Sequence, residues 1–163
     1  MKTKIHITPA KETKWETPQW LFDKLNDMFH FDTDVCASEC NAKCSTYFTE
    51  EENGLLQSWG FVNWMNPPYG RGIDAWLRKA WFESLENKTT IALVPASTST
   101  HWWHNYAERD DVNYVFIKGK LKFGGSKNGA PFHSALLFFW AKNTSIRDRV
   151  ELLNKVIRVV NWP

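Results

Sequence analysis

Apolar positions along the chain fall into two rhythms that alternate from about residue 17 onward. Leu21, Leu25, Met28 and Phe29 recur at helical spacing behind Thr17-Pro18. There Thr17 is suited to cap a helix and Pro18 to take its first position. Phe31 to Cys36 predicts a short strand, and residues 38–60 are polar and irregular. Phe61 to Met65 predicts a buried strand that runs directly into Asn66-Pro67-Pro68-Tyr69-Gly70, where consecutive prolines must end it. Ile73, Trp76, Leu77, Ala80 and Trp81 predict an amphipathic helix. Ile91 to Val94 predicts a second buried strand, and Ser97 to Thr100 leads into a helix from His101 to about Glu108. Val112 to Lys122 and Ala135 to Trp140 predict a hairpin joined through Gly124, Gly125 and Gly129. Ile146, Val150, Leu153 and Ile157 mark a last helix. Strands alternating with helices and closed by a hairpin predict an α/β sheet. Residues 1–14 carry four lysines and no apolar period, which predicts a flexible basic lead-in to a single domain over 15–163.

Composition adjusts this picture at three points. A chain of 163 residues holds one core and leaves no room for separate catalytic and recognition domains. A net charge of +2 allows a polyanionic partner without demanding one. Ten tryptophans are many for this length and suggest stacking or pocket-lining work besides core filling. Trp76 and Trp81 fit a core face, whereas Trp20, Trp64, Trp102 and Trp103 fall in or beside candidate site segments. Cys36, Cys40 and Cys44 are odd in number and evenly spaced, a poor disulfide or zinc framework, so free thiols and no metal are expected. No signal peptide and no apolar run near the ~20 residues of a membrane span are visible, so a cytoplasmic protein with no membrane partner is expected.

The chemistry lies in Asn66-Pro67-Pro68-Tyr69, placed between a predicted strand and a predicted helix. Ligands of open α/β sheets bind at the carboxyl ends of strands. The prolines stiffen the loop, remove two N–H donors and leave carbonyl acceptors. The Asn66 side chain adds another acceptor. Together with the Pro67 carbonyl it can hold both hydrogens of an exocyclic amino group, while Tyr69 offers a face to a planar ring. Hydrogen bonds to those two protons favour a more pyramidal nitrogen with a freed lone pair, so the clamp needs no strong base before attack.

The surrounding segments extend the signal. Thr17-Pro18-Gln19-Trp20-Leu21-Phe22-Asp23, Phe31 through Ala37, Asn41-Ala42-Lys43-Cys44, Tyr47-Phe48-Thr49, Asn66 through Arg71, Trp102-Trp103-His104 and Lys118 through Phe123 occur in one order. That series resembles the small phage-type DNA N6-adenine methyltransferases, often called Dam-like, from about residue 15 to residue 140. The resemblance implies a compact, shortened Rossmann-like sheet. Only about 23 residues separate the first strand from the strand before Asn66, too few for two ordinary strand–helix units. It implies S-adenosylmethionine as cofactor, approached closely by Asp34, Cys36 and Ala37, with Thr17 and Pro18 beside the methionine end, Asn53 near the adenine, and Asn66 touching cofactor as well as target. No G-x-G fingerprint is present, Asn53 stands where an acidic residue is expected, and Ser97 and Ser99 replace an expected arginine and aspartate.

DNA is the partner the resemblance implies, with the target adenine flipped out of the stack. Lys118, Lys120 and Lys122 alternate along the predicted strand and so project to one face, with Lys127 in the adjoining glycine-rich loop. Arg71 follows the Asn-Pro-Pro-Tyr block directly. An edge strand guarded by lysines is the competing reading of that stripe. Two other functions fit the same residues. One is methyl transfer to another planar amino group, in RNA adenine, cytosine N4 or protein glutamine. The other is an inert DNA-binding module on the same fold.

Overall fold

A computed structural model describes residues 15–161; the expected lead-in over 1–14 lies outside the described residues. Helix α1 (Gln19–Phe29) leads into strands β1 (Thr33–Asp34), β2 (Thr46–Tyr47) and β3 (Val62–Met65), followed by α2 (Ile73–Leu85) and β4 (Thr89–Pro95). A five-residue π-helical turn (Trp103–Ala107), β5 (Val112–Phe116), β6 (Ser134–Phe139) and α3 (Ile146–Val160) complete the order. The strands form one mixed sheet ordered β2-β1-β3-β4-β6-β5. β2, β1, β3 and β4 are parallel, and β6 runs antiparallel to both β4 and β5. The predicted α/β class with a closing antiparallel hairpin is therefore what the chain forms.

Each face of the sheet carries its own core. On one face Leu21, Phe22 and Leu25 of α1 pack with Trp64, Ile91, Leu93, Leu136 and Phe138, and Val156 and Val160 of α3 join them. On the other, Ile73, Leu77 and Ala80 of α2 pack with Met65, Ala92, Val94, Leu137 and Phe139. Alternate residues of β4 and β6 thus feed opposite cores, which is why both strands read as continuous apolar runs. α1 stops where His30 turns left-handed (φ 53°) and the Asn26 side chain accepts from the Phe31 N–H at 2.9 Å. The chain then enters β1 at once.

Several expectations shift. Thr17 makes no helix cap; Pro18 takes the N-cap position rather than the first helical one, and α1 starts at Gln19 with no side-chain cap. The strand over 31–36 shrinks to Thr33–Asp34. The strand expected over Val112–Lys122 ends at Phe116, so Lys118, Lys120 and Lys122 do not ride a strand face. Phe116 pairs with Ala135, β6 begins one residue earlier, and Gly119 (φ 77°) turns the chain away. The helix over 101–108 is largely the π-helical turn. The three cysteines lie in the loop between β1 and β2, and all are free. Trp64 and Trp103 are fully buried core residues, while Trp76 and Trp81 are only half-buried. Among the described residues, no helix is long and apolar enough to cross a membrane, and no three His, Cys, Asp or Glu side chains gather as metal ligands do.

Candidate active site

β1, β3 and β4 point their carboxyl ends to the same edge of the sheet, and the chain places Asp34 to Ala37, Asn66 to Tyr69 and the lead into α1 along it. Each part is held by backbone chemistry. Asp34 is buried, and its two carboxylate oxygens accept the Cys36 N–H at 3.4 Å and the Lys43 N–H at 3.1 Å. This pins the loop over 36–43 to the end of β1. Lys43 Nζ in turn donates to Gln19 Oε1 at 2.7 Å, tying that loop to α1. Burial raises the Asp34 pKa to about 6, with the Lys43 and Cys36 N–H groups and the Lys43 charge opposing the rise. Burial also pushes the Cys36 thiol well up, the Asp34 charge adds to this, and a hydrogen bond from the Asn66 backbone opposes it. Cys36 is thus a neutral thiol packed against the backbone of Asn66.

The segment over 53–59 closes on the same place. Gly54 lies so near the β1 end that a Cβ on it would stand 2.0 Å from the Val35 carbonyl oxygen. Trp59 Nε1 donates to the Gly54 carbonyl at 2.7 Å and locks the turn. Asn53 is left-handed (φ 52°), and its side-chain oxygen accepts from the Leu55 N–H at 3.2 Å. Asn53 therefore stands beside the Asp34–Ala37 segment with its oxygen engaged in a cap.

Asn66 is the best-held polar side chain of the edge. Its Nδ2 donates to the Trp15 carbonyl at 2.6 Å and to Thr17 Oγ1 at 3.1 Å. With both acceptors on the nitrogen, Oδ1 faces the other way, where the Tyr69 hydroxyl donates to it at 3.0 Å. The same hydroxyl has the Leu93 carbonyl oxygen at 3.4 Å as a second acceptor. Burial drives the Tyr69 phenol far above its usual range, so it remains a donor. Its ring meets Phe132 and Phe123 edge-on, with centroids 5.5 and 6.4 Å away, and Trp15 meets the same two rings. Pro67 is buried, whereas Pro68, Gly70 and Arg71 are exposed.

The residues singled out in the sequence fall into two groups. Thr17, Pro18, Asp34, Cys36, Ala37, Asn53, Asn66, Pro67, Pro68 and Tyr69 gather at the one edge. Arg71 extends from it, and Lys118, Lys120, Lys122 and Lys127 are exposed on the long connection between β5 and β6. Lys122 immediately precedes Phe123, and the Gly124 N–H donates to the Glu16 carbonyl at 3.0 Å, which brings that connection against the lead into α1. Sequence reasoning missed the Trp15 carbonyl, the Leu93 carbonyl and the Phe123–Phe132 pair. The backbone acceptors leave no residue signature, but two aromatics flanking a glycine-rich loop were a signal. Ser97 is half-buried and Ser99 exposed, and His104 is paired with Glu108 at 2.7 Å.

Comparison with known proteins bears on this arrangement. The sequence model of the family described as DNA N-6-adenine-methyltransferase (Dam) matches residues 4–158. The chain is 37% identical over 133 residues to the DNA N-6-adenine-methyltransferase of Haemophilus phage HP1 (strain HP1c1), covering 79% of this chain and 76% of that protein. It is 32% identical over 110 residues to the DNA N-6-adenine-methyltransferase of Escherichia phage T1, covering 66% of this chain and 45% of that one. A family match along nearly the whole chain, with the Asn-Pro-Pro-Tyr block at the carboxyl edge of its sheet, places this protein in the DNA N-6-adenine-methyltransferase (Dam) family.

Proposed function

We propose that the protein transfers a methyl group from S-adenosylmethionine to the exocyclic N6 of an adenine in DNA, the base being flipped into a clamp formed by Asn66, Pro67, Pro68 and Tyr69. The observation that carries this reading is the fixed orientation of Asn66. Two acceptors hold its nitrogen, so its oxygen is the atom presented to an incoming group. An amino group donates to that oxygen and to the Pro67 carbonyl. It takes the position now held by the Tyr69 hydroxyl, which keeps the Leu93 carbonyl as its acceptor. Held by both protons, the amino nitrogen gains lone-pair character, and its surplus proton leaves to solvent after attack.

S-adenosylmethionine, when bound, supplies the electrophilic methyl group. Pro18, Asp34, Cys36, Ala37 and Asn53 would hold it, with Thr17 at its methionine end. The chain fits such a ligand: small, half-buried residues follow β1, and Asp34 and Gly54 fix their backbone from either side. Lys118, Lys120, Lys122, Lys127 and Arg71 would meet DNA phosphates.

Transfer of labelled methyl from S-adenosylmethionine to DNA, RNA and protein, with nucleoside analysis of the product, tests this reading. N6-methyladenine in DNA is expected, and none from Asn66→Ala at an unchanged melting temperature. Label on RNA or protein alone, or full transfer by Asn66→Ala, overturns it.

A further inference from the structure

β5 runs antiparallel to β6, which runs antiparallel to β4, so the chain leaves β5 at the same edge of the sheet that carries Asn66. The connection then folds back over the start of α1 and the end of α3. An open groove lies between these three pieces. Trp20 and Lys24 enter it from one face of α1, one helical turn apart. Lys118, Lys120 and Lys122 enter from the connection, and Arg158 from the last turn of α3. Among the described residues, no carboxylate lines it. None of the five cations is ion-paired among the described residues, although the whole chain carries only two more basic than acidic residues. The floor is apolar, with Ile117 and Leu121, and the Trp20 ring is 46% exposed.

Five free cations around an apolar floor attract a polyanion that also has something flat and apolar to bury. Phosphate alone does not account for the indole, and an intact duplex hides the faces of its bases. Unpaired nucleotides satisfy both, with phosphates on the cations and a base on the aromatic ring. We infer that this groove binds an unpaired stretch of DNA beside the target base, its phosphates on Lys24, Lys118, Lys120, Lys122 and Arg158 and one base stacked on Trp20. The inference rests on DNA being the substrate. It deepens that reading by giving the chain a path for the strand from which the target is extruded. The path ends at the site itself, because Lys122 adjoins Phe123, whose ring meets both Trp15 and Tyr69.

Binding of a labelled oligodeoxythymidine to the whole chain, followed by fluorescence anisotropy at several salt concentrations, tests it. Lys24→Ala/Arg158→Ala should weaken binding about ten-fold at low salt and reduce the slope of log affinity against log salt by roughly 1.4. Trp20→Ala should weaken it about ten-fold and leave that slope unchanged. Lys142→Ala, an exposed cation outside the groove, should change neither. Inorganic polyphosphate should lose affinity with the double variant but not with Trp20→Ala. All of these side chains are exposed, and equal melting temperatures confirm folding. Unchanged affinity and slope in the groove variants overturn the inference, and so does an equal dependence of polyphosphate on Trp20. A wild type that binds the oligomer through the groove but methylates no DNA overturns the activity alone. One that methylates DNA with the groove variants binding normally overturns the groove alone.

Discussion

The Thr17 hydroxyl bears on the proposed clamp through Asn66 rather than through the target base. It is one of two acceptors that keep the Asn66 nitrogen turned inward, and the other is a backbone carbonyl that substitution leaves in place. Removing the hydroxyl leaves the amide freer to rotate and present its nitrogen to the target. Thr17→Val should lower kcat about ten-fold, the worth of one such hydrogen bond, and Thr17→Ser should restore most of it. Steady-state kinetics beside calorimetry with S-adenosylmethionine check this, since a role confined to the cofactor would appear as weaker cofactor binding at unchanged kcat. Asp34 gives a pH dependence. Its folded pKa of about 6 lies above the ordinary 3.8, so between these values the folded chain holds a proton that the unfolded chain has released. Asp34 is therefore least favourable to stability above pH 6 and becomes more favourable as the pH falls toward 4. The stability of wild type relative to Asp34→Asn should accordingly rise by on the order of 2–3 kcal/mol from pH 7 to pH 4 in urea unfolding. A constant difference across that range would contradict the burial argument.

At the scale of elements, the unit β3–Asn66-Pro67-Pro68-Tyr69–α2 was legible because each boundary has its own chemical mark: a buried apolar run, a proline pair that stops it, and a helical period behind. α3 was legible as a helix but not in its orientation. Ile146, Val150 and Ile157 carry the clearest period, yet Ile146 is 79% and Val150 51% exposed, while Val156 and Val160 are buried. The sequence holds two apolar stripes, and periodicity cannot tell which one meets α1 and β5. The lysine stripe misled for a different reason. Alternation signals a strand only while a partner strand continues, and the β5–β6 ladder ends at the Phe116–Ala135 pair, one residue from the start of β6. The turn at Gly54 was invisible as a close approach, since a lone glycine reads as a loop. Its packing predicts that Gly54→Ala, with a Cβ 2.0 Å from the Val35 carbonyl, forces the segment over 53–59 off the end of β1. Calorimetry should then show cofactor affinity falling at least ten-fold, with the helical circular dichroism retained.

The whole molecule is one sheet between two separate cores, and β4 and β6 serve both. Leu25 lies in one core and Leu77 in the other, both fully buried. Leu25→Ala and Leu77→Ala should each cost about 2–5 kcal/mol, and the double variant should equal their sum within about 0.5 kcal/mol, as measured by denaturant unfolding. A large departure from the sum would mean that the sheet transmits strain between its faces. This plan also explains how the chain manages with so few residues. No α-helix is spent between β1 and β3; a loop pinned by Asp34, the two residues of β2 and a single 3-10 turn at Gly54–Leu56 fill that space.

The contact between Tyr69 and Asn66 carries a last consequence. The resting site is not an empty acceptor waiting for any flat molecule; its oxygen already has a donor, and a newcomer must supply a replacement. A base with a carbonyl at the same ring position brings a lone pair instead of a proton and leaves the Asn66 oxygen facing another oxygen. Adenine should therefore displace the tyrosine hydroxyl where hypoxanthine cannot. An oligonucleotide with inosine at the target should compete poorly for methylation even though its backbone and its stacking surface are nearly the same. Discrimination of this kind comes from an exchange of one proton donor for another, and it operates before any methyl group moves.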